Sequence, residues 1–180
     1  MNDLAQERID LTNSALNLLK KAPVSGSYNV RFSYWRLPAF HNQTRLTLYI
    51  PHPRAKPDIE PFFTVSTWRR DTDLDKLRDP IERLRHPKLL KPTIEEINKQ
   101  ISKDKVDQIT SSLSRIPLPS LLPNENTIGF DGTRYRFSFD QGYYSLDLQW
   151  WCDYPKAWKS TIDDINNIIS ELEEISVTEV

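Results

Sequence analysis

Residues 130–158 read FDGTRYRFSFDQGYYSLDLQWWCDYPKAW, and two segments inside this stretch decide the fold. Along 133–139, Tyr135, Phe137 and Phe139 alternate with Arg134, Arg136 and Ser138. Along 143–151, Tyr144, Leu146, Leu148 and Trp150 alternate with Ser145, Asp147, Gln149 and Trp151. Successive side chains of a strand point to opposite faces, so period-two patterning marks two half-buried strands. Asp140-Gln141-Gly142 between them suits a tight turn, and a link this short makes the pair antiparallel. Trp150 and Trp151 are neighbours on one strand, so at most one of them belongs to the main core.

The same alternation recurs upstream. In 27–37, Tyr28, Val30, Phe32 and Tyr34 face one way, and Asn29, Arg31, Ser33 and Trp35 the other. In 44–50, Leu46, Leu48 and Ile50 oppose Arg45, Thr47 and Tyr49; in 61–68, Phe63, Val65 and Thr67 oppose Phe62, Thr64, Ser66 and Trp68. The link PHPRAKPDIEP (51–61) is proline-rich, hence extended and poor in ladder donors. Helical spacing appears in 3–21, through Ala5, Ile9, Thr12, Leu16 and Leu19, with Asp3 and Gln6 as a capping pair and Pro23 and Gly26 as the stop. Asp79-Pro80 reads as a helix start. Thr93 with Glu96 reads as the capping box of a long surface helix over 93–114, lined by Ile94, Ile97, Ile101, Val106, Ile109 and Leu113. A proline-rich connector follows over 115–126. Pro155 opens the last helix, whose buried side is Trp158, Ile162, Ile165, Ile169, Leu172 and Ile175. The expected fold is α+β: one domain over 1–180, a single antiparallel sheet of about five strands, and helices packed on one face in the order α-βββ-αα-ββ-α. Residues 71–126 form a helical, proline-rich insertion in that scheme.

Bulk composition is that of a globular chain, with 38% apolar and 27% charged residues among 180. No apolar run reaches the ~18 residues of a membrane span, so no membrane contact is expected. The start, MNDLAQERIDL, lacks the basic and apolar regions of a signal peptide. Cys152 is the only cysteine, which excludes an internal disulfide and fits a reducing cytoplasm. A net charge of −1 gives no global attraction to nucleic acid. Charge is unevenly spread: Lys76–Lys105 is net basic, and the chain beyond Lys159 holds acids and no Lys or Arg. Two helix faces that attract each other account for this; a basic patch for an acidic partner or a nucleic acid is the weaker reading.

Local chemistry is sparse. Asp71, Asp73, Asp75 and Glu82 match calcium-loop positions, but Lys76 stands where the glycine belongs and Pro80 interrupts, so a polar turn before a helix is expected instead. His41, His52 and His86 lie in separate loops without metal-ligand spacing, and no metal or cofactor is expected. Cys152 has no base beside it and reads as a half-buried structural thiol. Asn42-Gln43-Thr44 is a glycosylation sequon of no consequence without a secretory signal. Neither a nucleophile elbow nor a phosphate-cradling glycine loop occurs.

One collective feature remains. The strand faces opposite the main core carry Arg31, Trp35, Arg45, Tyr49, Trp68, Arg134, Arg136, Asp147 and Trp151. Guanidinium and indole planes stack well, and Arg, Trp and Tyr are enriched at interface hot spots. The competing reading is that these side chains pack under the 93–114 helix or pair with acids, and have structural roles only.

Asp131-Gly132 with Tyr135, then Trp150, then Pro155 and Trp158 resemble a pattern of small uncharacterised bacterial proteins: a DG turn leading to a Tyr-bearing strand, a Trp-bearing strand, and a Pro-x-x-Trp helix. The resemblance covers 128–175. Some such proteins are thought to be immunity or mobile-element accessory proteins, so it implies a bacterial, non-secreted protein without catalytic residues. The expected function is non-enzymatic binding of another protein through the Arg/Trp face. The alternative is a small anionic-ligand domain or enzyme with Arg31, Arg45, Arg134 and Arg136 as the clamp; nucleic-acid binding through 76–105 comes third.

Overall fold

The structure is a computed structural model that describes residues 3–21, 27–56, 58–85, 90–119 and 132–177. Its elements are α1 (Asp3–Lys20), β1 (Tyr28–Pro38), β2 (Gln43–Pro51), β3 (Phe62–Trp68), α2 (Arg70–Arg78), α3 (Pro80–Arg85), β4 (Ile94–Gln100), α4 (Lys103–Ser114), β5 (Thr133–Asp140), β6 (Ser145–Trp151), a 3₁₀ turn (Lys156–Trp158) and α5 (Lys159–Val177). One six-stranded sheet, ordered β4-β3-β2-β1-β5-β6, is antiparallel at every pairing. The α+β class and the antiparallel sheet are as expected. The sheet has a sixth strand, and helices lie against both faces.

The main core forms between one sheet face and the helices α4 and α5. Phe32, Tyr34, Leu46, Leu48, Phe63, Phe137, Phe139, Leu148 and Trp150 meet Val106, Ile109, Leu113, Ile162, Ile165, Ile169 and Leu172. A second core lies on the opposite face, where Leu11, Ala15 and Leu19 of α1 and Leu74 and Leu77 of α2 enclose Trp35 and Trp68. Lys105 on α4 bonds Glu171 on α5 at 2.7 Å, a direct link between the basic stretch and the acidic last helix.

The hairpin reading of 133–151 holds. Gly142 takes φ +81°, its amide bonds the Asp140 carboxylate at 2.6 Å, and Gln141 N–H donates to Tyr144 O at 3.1 Å. Tyr144 is an exception: it precedes β6, is 46% exposed, and meets Phe139 edge-on rather than entering the core. Asp131 lies outside the described residues, whereas Gly132 has φ +144°, and a Cβ there would come within 2.6 Å of Cys152 Sγ.

Four expectations are corrected. The 93–114 segment is not one helix. Ile94–Gln100 pairs with β3 as the edge strand β4, because Thr93 is already fixed beside the sheet: its N–H and Oγ1 donate to the buried Asp73 carboxylate at 2.7 Å each, and its C=O accepts from Arg69 N. The helix starts at Ser102 instead, whose hydroxyl accepts from Lys105 N. The Asp71–Asp75 stretch is not a turn but the body of α2. Its capping logic shifts one helix later, where Asp79 accepts from Ile81 N and Pro80 opens α3 as expected.

In α1, the buried line is Leu11, Ala15 and Leu19; Ala5 is exposed and Ile9 is 48% exposed. The helix begins at Asp3, and Gln6 donates to Asp10 at 2.9 Å. Pro23, Gly26, His86 and most of the 115–126 connector lie outside the described residues.

The fourth correction is a bulge in β1. Val30 pairs with Tyr49 and Phe32 with Leu48, so Arg31 is the extra residue. A bulge reverses the faces on its far side. Val30 is therefore 39% exposed rather than core, and Tyr28 packs edge-on against Phe62 of the opposite face.

Candidate functional site

Strand order brings part of the Arg/Trp face together. Glu96, Ser66, Arg45, Trp35, Arg136 and Gln149 form one row across all six strands, and Asn98, Thr64, Thr47, Ser33, Ser138 and Asp147 form the next. The half of this face near α1 and α2 is not open. Trp68 is fully buried, its Nε1–H donating to Asp73 at 2.8 Å, and Trp35 is 6% exposed. Arg45 lies over the Trp35 ring at 5.0 Å and donates to the Leu19 carbonyl at 2.7 Å, where the C-terminal end of α1 favours a cation. Burial pulls the Arg45 guanidinium below its ordinary value; Tyr49 opposes this and Arg136 adds to it. Tyr49 is buried and stacked on Phe62 at 4.8 Å. Trp35, Arg45, Tyr49 and Trp68 thus serve the fold: α1 with α2 covers the two tryptophans, α1 also receives Arg45, and Tyr49 stacks on Phe62, so the cover is not a 93–114 helix.

Sequence reasoning missed two charged members of this layer. Arg70 is buried against Trp68, with its guanidinium pulled down by burial and then by Arg8. Asp73 is completely buried and gathers donors from Trp68 and Thr93. A signal for Asp73 was present: it stands beside Leu74 and four residues before Leu77, on the apolar side of α2.

The β5–β6 half is different. Arg136 and Asp147 are exposed and form a bidentate pair through Nε and Nη2. This pair holds Arg136 above its ordinary value, the hydrogen bond to Asp147 being the main cause. Arg134 and Trp151 stand opposite each other across the pair of strands, both partly exposed, with Gln149 exposed beside them. Among the described residues β6 ends the sheet and no further strand pairs with it, so this patch adjoins the sheet edge. Trp150 is buried in the main core while Trp151 is on the outer face, as the alternation requires. Arg31 belongs to neither half. The bulge sets it beside Ile50, Val106 and Thr110 on the α4 side, donating to Asp140 O at 3.1 Å. The four-arginine clamp is therefore not assembled.

Two clefts flank the main core. One, about 270 Å³, lies between β1, β5, β6 and α5 and is lined by Tyr34, Tyr135, Trp150, Cys152 and the pair Arg36–Glu173 at 3.7 Å. Burial, with Tyr135 next, holds the Tyr34 phenol well above the ordinary tyrosine range, so it stays protonated at neutral pH. Cys152 is exposed rather than half-buried, and among the described residues no histidine lines this cleft. The other, about 370 Å³, lies between the 51–61 loop and α4. His41 contacts Asp71 at 3.7 Å and His52 lines the second cleft, so the two stay apart. Among the described residues, no group of three or more His, Cys, Asp and Glu side chains is placed to hold a metal, and no helix is long and apolar enough to cross a membrane.

Comparison of this chain with protein-family models, with characterised proteins and with solved structures finds no match.

Proposed function

We propose that this chain is a non-enzymatic, protein-binding protein of the bacterial cytosol, immunity- or accessory-like, whose partner docks on the outer face of β5–β6. One observation carries the reading: Arg134, Arg136, Gln149 and Trp151 face outward beside a sheet edge that no described strand pairs, on the half of the face away from the α1–α2 core. Arginine and tryptophan supply large contact area and directional donors at interfaces. The Asp147 pair holds Arg136 in one geometry, which lowers the ordering cost of binding. A partner strand has the β6 edge to extend, with Trp151 as its anchor.

The test is photo-crosslinking from a benzoylphenylalanine at position 149 in cells that make the protein. A discrete adduct is expected, abolished by Arg134→Glu or Trp151→Ala, each leaving the unfolding midpoint close to the parent. The same adducts from a probe at Ile97 on the opposite edge, or none from position 149, would overturn the reading.

A further inference from the structure

The cleft between the 51–61 loop and α4 is separate from the β5–β6 face, and its lining is chemically lopsided. Arg31, Lys56 and Lys103 are cationic against one lining carboxylate, Asp107, which is exposed on α4. Lys103 is engaged with Glu60 at 3.3 Å. Arg31 is not matched in this way: among the described residues its one hydrogen bond goes to the Asp140 backbone carbonyl, no carboxylate pairs with it, and its buried Nε has no acceptor. Thr110, facing the same cleft from α4, also carries a buried hydroxyl without a partner. A half-buried guanidinium without a counter-ion is costly, and native proteins rarely leave such groups unsatisfied.

The remaining lining completes the pattern. His52 Nδ1 accepts from Arg54 N at 3.1 Å, which fixes the tautomer and leaves Nε2 as an N–H donor. The walls are Ile50, Ile59 and Val106 with Pro51, Pro53 and Pro61. Donors thus stand beside an apolar wall in a space of about 370 Å³, within the usual range for small-ligand sites. The origin of the arrangement is the β1 bulge, which turns Arg31 away from the Arg/Trp face and onto this side of the sheet.

We infer that this cleft binds a small organic anion with an apolar body, its carboxylate paired with Arg31 and its hydrocarbon part against Ile50, Ile59 and Val106. The carboxylate supplies the acceptor that the guanidinium lacks, and a planar two-oxygen acceptor suits the guanidinium fork. The apolar part supplies affinity through buried area.

Calorimetric titration of the full chain with hexanoate, against acetate, 1-hexanol, hexylammonium and inorganic phosphate, tests this. Hexanoate is expected to bind at least tenfold more tightly than any of the other four. Arg31→Met is expected to weaken it at least tenfold, and Arg36→Met in the other cleft to leave it unchanged. If Arg31→Met fails to fold, Ile59→Trp, which fills the cleft from a loop, must abolish binding instead. Amide shifts on hexanoate addition must concentrate on 50–61 and 103–110. Equal binding of 1-hexanol or of phosphate, or hexanoate affinity indifferent to both variants, would overturn the inference.

Discussion

The five tryptophans illustrate how one residue type takes opposite roles on a single sheet. Trp68 is fully buried with its indole N–H bonded to Asp73, so Trp68→Ala is expected to cost about 3–5 kcal/mol, as large aromatic truncations do. Trp35 sits in the same core and falls in the same range. Trp151→Ala removes a partly exposed ring and is expected to cost less than about 1 kcal/mol. Urea unfolding monitored by far-UV dichroism ranks the three. A Trp151 cost equal to that of Trp68 would make the outer hairpin face structural. Tyr34 gives a second prediction at this scale. Its phenol ionises less readily folded than unfolded, so its stabilising contribution is complete below pH about 10 and is lost as pH rises through the folded value. Between pH about 10 and the folded value, stability is expected to fall by up to about 1.4 kcal/mol per unit from this group alone. Tyr34→Phe should flatten the alkaline limb relative to the parent, while the neutral-pH limb keeps its slope.

At the scale of elements, what the sequence makes legible depends on whether a residue's local pattern or a distant partner decides its conformation. The β5–β6 hairpin and α5 follow from periodicity alone because one face of each is buried and the other wet, and β2 alternates apolar with polar side chains although it is buried on both faces. The segment Ile94–Ile101 carries isoleucines at three- and four-residue spacing, which mimics a helix. Its strand conformation comes from Asp73, twenty residues earlier, gripping Thr93, and from the open edge of β3. No local signal reports either. The β1 bulge is equally silent: 28–34 alternates without a break, and only pairing with β2 shows that Arg31 is the extra residue. Of the candidate site, the split between Trp150 and Trp151 was readable from adjacency, whereas the burial of Trp35, Arg45 and Trp68 needed to know where α1 and α2 dock. The revised start of α4 has its own test. Ser102→Ala removes the acceptor for Lys105 N–H and is expected to cost about 1 kcal/mol by denaturant titration. A loss below the error of the measurement would deny Ser102 the capping role.

Over the whole molecule, a single sheet carries two cores, and the question is whether they unfold as one. Phe32 and Tyr34 serve the α4–α5 layer while Trp35, between them and Leu37 in sequence, serves the α1–α2 layer, so the backbone of β1 is common to both. Loss of either layer exposes the ladder that the other rests on, which favours one cooperative transition. Leu11 and Ile165 are buried on opposite sides of the sheet and share no cluster. Leu11→Ala and Ile165→Ala are each expected to cost about 2–5 kcal/mol. Because neither touches the other's neighbours, the double variant should show their sum to within about 0.5 kcal/mol. Tryptophan fluorescence, recorded in a Trp150→Phe/Trp151→Phe/Trp158→Phe background so that it reports Trp35 and Trp68, and far-UV dichroism should give coincident urea transitions in all variants that remain folded. If Leu11→Ala separates the two transitions, with fluorescence changing first, the α1–α2 layer unfolds as a unit of its own. The Arg/Trp row from Arg45 to Arg136 would then open to solvent ahead of the main core, and the binding face would extend across the sheet instead of ending at β5–β6.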